Sequence, residues 1–122
     1  MQSLMDRNVL DDLKQRLDEL VTTLEEATRE VSVLLQQGNG ARGMNGLREV
    51  LEALQFFHEG LDVLTLADSA TYNGLADLKD KLEQVYPSIY NALEADDTVT
   101  LADVLEYELA ATFANYNTTK AD

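Results

Sequence analysis

The only histidine, His58, stands in "ALQFFHEG", and any acid–base or metal chemistry in this chain would have to start there. Carboxylate-bridged metal sites of helical bundles take a Glu-x-x-His pair from each of two helices, with further glutamates opposite. Here Gln55 precedes His58 at that spacing, and no second histidine exists to complete the set. The absence of cysteine excludes disulfides, thiolate nucleophiles and zinc sites built on Cys and His. A Ser-His-Asp arrangement would also have to use His58, and no nucleophile-bearing turn is recognisable. His58 is therefore expected as a surface or half-buried polar residue.

Carboxylates offer the next chemistry. "EADDTVTLAD" gathers Glu94, Asp96, Asp97 and Asp103 but lacks the alternating ligands, central glycine and terminal glutamate of a calcium loop. Asp96 and Asp97 read as solvated turn residues, and no metal or cofactor is expected. Gly38, Gly40 and Gly43 spell G-x-G-x-x-G. That fingerprint binds a pyrophosphate only between a strand and a helix, whereas a helical pattern precedes it here. A flexible connector is the expected reading.

Tyrosines and acids near the C-terminus supply the remaining candidates. Tyr86 and Tyr90 are four residues apart and so share a helix face. Asp103 shares a face with Glu106 and with Tyr107 by the same rule, and Tyr116 lies further along that segment. Tyr86, Tyr90, Asp103, Glu106, Tyr107 and Tyr116 form the candidate partner-docking face, since tyrosine offers contact area at small entropic cost. The competing expectation is a tyrosine-edged core whose hydroxyls reach water.

Four helical segments must position these residues. Residues 1–37 contain neither Gly nor Pro, and Leu10, Leu13, Leu17, Leu20, Leu24, Ala27, Val31 and Leu34 step by three and four through four heptads. This predicts a long first helix over about 3–37. A Gly-rich connector, 38–46, follows, with Asn45 as the cap of a second helix over about 45–66. Gly60 falls inside that helix, where it predicts a close neighbour or a bend. The third helix, about 73–94, contains Pro87, so a kink or break is expected near Val85. Thr100 and Asp103 resemble a capping box that opens a fourth helix over about 101–117, leaving a frayed tail at 118–122. The sum is one domain, 1–122, folded as an all-α antiparallel up-and-down four-helix bundle. Its first helix, about 55 Å long, outreaches its neighbours and invites a homodimer through helix 1.

The charge balance narrows the partners. Twenty-three acids against nine bases give a net charge of −14, which disfavours nucleic acid and anionic membranes and favours a basic protein segment. Residues 82–119 hold seven acids and no Lys or Arg. No apolar run reaches the ~18 residues of a membrane span, and no signal peptide opens the chain, so a cytoplasmic location is expected.

"YPSIYNALEADDTVTLADVLEYELAATFANY", residues 86–116, and "FHEGLDVL", residues 57–64, resemble small acidic all-helical proteins of Gram-positive bacteria. The resemblance implies an all-helical cytoplasmic protein and carries over no site residues. In size, charge and helicity the chain is also similar to flagellar and type III secretion chaperones, which bind amphipathic helices. The leading expectation is a non-enzymatic interaction module, adaptor-like or chaperone-like, that docks a helical or basic segment. The alternatives are a small-molecule-binding or enzymatic bundle using Asp103, Glu106, Tyr107 or His58, and a purely structural homodimer.

Overall fold

The computed structural model describes residues 7–120. Helix α1 spans Arg7–Gln36, α2 Gly40–Asp68 and α3 Asn73–Glu94. Helix α4 covers residues 98–120 in three parts: Thr98–Val104 is α-helical, Leu105–Leu109 is π-helical and Ala110–Lys120 is α-helical again. No strand occurs among the described residues. The connections, residues 37–39, 69–72 and 95–97, are too short to do more than reverse the chain. Each helix packs on the one before it, and α4 returns to α1, closing a four-helix bundle around one apolar core.

Several predicted boundaries move, and each for a local reason. The connector expected at 38–46 shrinks because helix α2 starts at Gly40, so Asn45 is an interior helical residue and no cap. Gly38 takes φ 81° and ends α1: its N–H bonds to the Leu35 carbonyl at 3.2 Å, and the Asn39 N–H bonds to that of Leu34 at 2.9 Å. That is a Schellman turn, which needs one left-handed residue. The same turn ends α3, where Asp96 takes φ 52°. With α2 at 29 residues against 30 for α1, the two match in length, and no overhang of the first helix occurs among the described residues. The predicted residues 3–6 of that helix lie outside the described residues.

Helix α3 is not split at Pro87; it continues to Glu94. Pro87 and Glu83, whose carbonyl Pro87 leaves without an N–H partner, are both exposed residues. Helix α4 starts earlier than expected because Asp97, not a Thr100–Asp103 box, is its cap. The Asp97 carboxylate accepts the Thr100 N–H at 3.1 Å and the Thr100 hydroxyl at 2.6 Å. These bonds, the hydroxyl first, hold Asp97 below the usual carboxylate range, so it is more than a solvated turn residue. The tail expected to fray from 118 stays helical to Lys120; residues 121–122 lie outside the described residues.

The π turn answers a mismatch in the sequence. Leu101, Leu105, Leu109 and Phe113 are all buried, yet they are spaced by fours. Each step of four overshoots a turn by about 40°, so three steps would swing the stripe about 120° off the core. The wide turn, in which the Ala110 N–H bonds to the Leu105 carbonyl, takes up an extra residue and returns Leu109 and Phe113 to the interior. At its approach the Ser32 hydroxyl of α1 donates to the Ala102 carbonyl at 2.9 Å.

The tightest packing is between α1 and α2. A Cβ placed on Gly43 would stand 2.7 Å from Leu35 Cδ2, one on Gly46 2.9 Å from Val31 Cγ2, and one on Gly60 2.9 Å from Leu17 Cδ2. Gly46 and Gly60, with Ala53 midway, repeat every seven residues and run antiparallel to the heptad of Leu17, Leu24 and Val31. Small residues on one helix thus meet large ones on the other, and the axes approach closely.

That approach divides the heptad seam of α1. Leu10, Leu17, Leu24 and Val31 are buried, and Val21, Thr28, Ser32 and Leu35 complete the inner face. Leu13, Leu20, Ala27 and Leu34, the other half of the predicted seam, stay half-buried along the outer edge of the α1–α2 crevice.

Gly43→Ala and Gly60→Ala are expected to lower stability by about 1–3 kcal/mol in urea titrations, despite the better helix propensity of alanine. Gly74→Ala, where an added methyl meets nothing within 4 Å, should instead stabilise by about 0.5–1 kcal/mol. Equal stabilisation at all three sites would refute the close approach. Thr28 is fully buried and its hydroxyl has no hydrogen-bond partner. Thr28→Val should therefore raise stability, by about 1 kcal/mol in the same titration.

Candidate functional site

The six residues singled out for docking do not gather on one surface. Glu106 turns toward α1, where Gln36 Nε2 donates to its carboxylate at 3.2 Å. The Tyr116 hydroxyl donates to Asp18 of α1 at 2.5 Å, and burial first, then this bond, pushes its pKa up. Asp103 and Tyr107 are exposed on the outside of α4. The π turn carries both Glu106 and Tyr107, and it was missed because helical periodicity alone does not specify where an extra residue enters. Its one signal in the sequence is the run of four-residue steps from Leu101 to Phe113.

Tyr86 and Tyr90 do come together, and they bring a residue that the sequence reading set aside. His58 of α2 faces Tyr86 of α3, with Nε2 and the phenol oxygen 2.6 Å apart. Their rings meet edge-on at a centroid distance of 5.6 Å. Burial, then the nearby Glu83 and Tyr90, pushes the Tyr86 pKa up, so the phenol keeps its proton. Burial likewise pushes His58 down, with Lys79 adding to the effect and Glu83 and Asp62 opposing it. The imidazole and the phenol thus share a short hydrogen bond, in which the imidazole tautomer sets which of the two donates.

This pair sits at one end of a hollow of about 410 Å³ between α2 and α3. Leu51, Leu54 and Ile89 supply its apolar walls, and Arg48 and Glu52 its charge. Tyr90 stands beside it with 58% of its surface exposed. The α2–α3 seam continues past it to the half-buried Leu93 and the exposed Met44, which line a second hollow at the end of the bundle. Among the described residues, the hollow that holds His58 contains none of Asp103, Glu106 or Tyr107. The acid–base set proposed for an enzymatic reading is therefore not assembled there.

Another polar cluster has structural work. Arg7 of α1 donates to Asp68 at 2.9 Å and to the Tyr72 hydroxyl at 3.1 Å, and Tyr72 donates to Asp11 at 3.1 Å. Together they tie the α2–α3 turn to α1. Bonds from Thr71 first, then Arg7, hold Asp68 down to about 2. Among the described residues, no three His, Asp or Glu side chains stand close enough to hold a metal ion, and no helix is long and apolar enough to cross a membrane.

A four-helix bundle with an open, tyrosine-edged groove between α2 and α3 is thus the class that the geometry defines. The chain belongs to the family described as a domain of unknown function, DUF8042, which matches residues 12–119. No curated protein and no solved structure matches the chain.

The depressed His58 pKa has a sign that can be measured. On unfolding, His58 regains its ordinary affinity for a proton, so its contribution to stability is complete above about pH 6.5 and falls as pH drops below that value. The wild-type protein should therefore lose stability relative to His58→Gln between about pH 7.5 and pH 5 in parallel urea titrations. Curves that stay parallel over that range would show that His58 is not desolvated.

Proposed function

We propose that this protein is a non-enzymatic interaction module that docks an amphipathic, basic-faced helix of a partner protein in the groove between α2 and α3. The observation that carries this reading is the position of Tyr90. It is an aromatic side chain more than half exposed, beside an apolar wall of Leu51, Leu54 and Ile89, on a bundle whose interior is filled by apolar side chains. Helix-in-groove docking uses apolar anchors at helical spacing, and Met44, Leu51, Tyr86, Tyr90 and Leu93 provide a seam for such anchors.

Charge supports the choice of a basic partner. The net charge of −14 and the base-free segment 82–119, which forms the later part of α3 and most of α4, set up a field that attracts cationic segments. Such a field acts mainly on the rate of encounter and on salt dependence, while the apolar wall supplies the affinity. Tyr86 contributes by fixing the groove: its bond to His58 couples α2 to α3 on either side of the hollow.

The test is nuclear magnetic resonance titration of the full chain with a panel of basic amphipathic helical peptides. The signals of Leu51, Tyr86 and Tyr90 should shift, and affinity should fall as salt is raised. Tyr90→Ala should weaken binding by about 10–30-fold, as loss of an aromatic anchor does. Its thermal melt should stay within about 0.5 kcal/mol of wild type because the side chain is largely exposed. The reading fails if no peptide shifts these signals at low ionic strength, or if Tyr90→Ala leaves affinity unchanged.

A further inference from the structure

The α1–α2 crevice presents a second unpartnered surface, on the other side of α2 from the groove. Half-buried Leu13, Leu20, Ala27 and Leu34 run along its α1 edge at seven-residue intervals, and Phe56 of α2 stands over it with 66% of its surface exposed. The stripe covers about 30 Å of helix. Leu13, Leu20 and Ala27 pack against the core with one side only, so the outer side of this heptad is left uncovered by the single chain. A seven-residue repeat drifts only about 20° per heptad around a helix, so over three heptads the stripe can stay against one partner helix that winds gently about it.

The charges on the crevice select the occupant. In a chain of net charge −14, the ionic side chains lining this surface are Arg16, Arg42, Glu30 and Glu49, two of each sign. A second copy of the chain is therefore not repelled at this face as it is elsewhere, and a basic helix gains little there. The placement of the charges also fixes direction. Parallel pairing of two α1 helices would set Arg16 on Arg16 and Glu30 on Glu30. Antiparallel pairing sets Leu13 against Leu34 of the second copy and Leu20 against its Ala27, and it brings Arg16 beside its Glu30. The register that matches every apolar residue of the stripe is thus the one that matches opposite charges.

We propose that two copies of this protein associate through the α1–α2 crevice, with their α1 helices antiparallel and Arg16 of each copy paired with Glu30 of the other. In the single chain Arg16 pairs with Asp12, at 2.9 Å and largely in water, so re-pairing at the interface forfeits little. A two-fold axis between Thr23 and Leu24 relates the copies, and the interface is the same patch on both. The α2–α3 grooves stay open on the outer sides of the pair.

Sedimentation velocity of the full chain over about 1–100 µM at low ionic strength tests this, with mass expected to rise to twice that of the monomer. Arg16→Glu and Glu30→Arg should each raise the dissociation constant by about tenfold, and the double variant should return it to the wild-type value. Within one chain the two side chains are about 21 Å apart along α1, so rescue can only act between copies. Tyr90→Ala should leave the mass unchanged, which separates this interface from the α2–α3 groove. A monomer at every concentration overturns the proposal and leaves the crevice to a different helix. A dimer indifferent to either charge reversal, or not restored by the exchange, overturns it as well.

Discussion

The close approach of α1 and α2 is the constraint around which the remaining packing is arranged. A methyl group at Gly43, Gly46 or Gly60 would come within 3 Å of Leu35, Val31 or Leu17 and force that side chain to shift, so the two long helices meet with side chains of one filling the absent side chains of the other. Dispersion gains at such a contact are individually small, but they extend along nearly the whole of both helices. Helices α3 and α4 then complete the core against the inner face of that pair. The same closeness pushes half of the α1 heptad outward, because two axes drawn together cannot both bury the flanks of a wide apolar stripe.

Helix α4 adapts to the frame that the first pair sets. Its apolar residues advance by fours and would rotate away from the core, and the π turn at Leu105–Leu109 absorbs the excess. The ladder is disturbed there, and the Ser32 hydroxyl brings a donor to the Ala102 carbonyl at its approach. Gln36, which donates both to Ser32 and to Glu106, adds a polar tie between α1 and the wide turn. Glu106 and Tyr116 are thereby drawn into holding α4 on α1, a role at odds with a free acidic wall.

The groove between α2 and α3 has a different origin. These helices are held at one end by the turn that Arg7, Asp68 and Tyr72 fasten to α1, and midway by His58 and Tyr86. Between such ties the half-buried Leu51 is left partly uncovered above the buried Leu54 and Ile89, and the exposed Tyr90 stands beside them. The base-free segment 82–119 gives the α3 side of that surface an acidic flank, while α2 contributes both Arg48 and Glu52.

Much of the architecture was legible in the chain because it follows from local periodicity. The heptads of residues 10–34, the apolar stripes of the other helices and the short connections suffice for an all-α bundle with antiparallel neighbours. Gly60 inside a helical pattern pointed to a close neighbour, and Leu17 is that neighbour. Boundaries were less legible, since the sequence around 38–46 offers several glycines and asparagines while only Gly38 adopts the left-handed conformation that ends α1. Cap identity likewise turned on which carboxylate reaches Thr100, and Asp97 reaches it where Asp103 does not. The site was the least legible part. Composition could show that one histidine is too few for a metal set, but the meeting of His58 with Tyr86 spans 28 positions and depends on how α2 and α3 are rotated about their axes. Which half of a heptad is buried, and which tyrosines are drawn into helix contacts, are decided by interhelical distance and rotation, and those exist only in the packed tertiary structure.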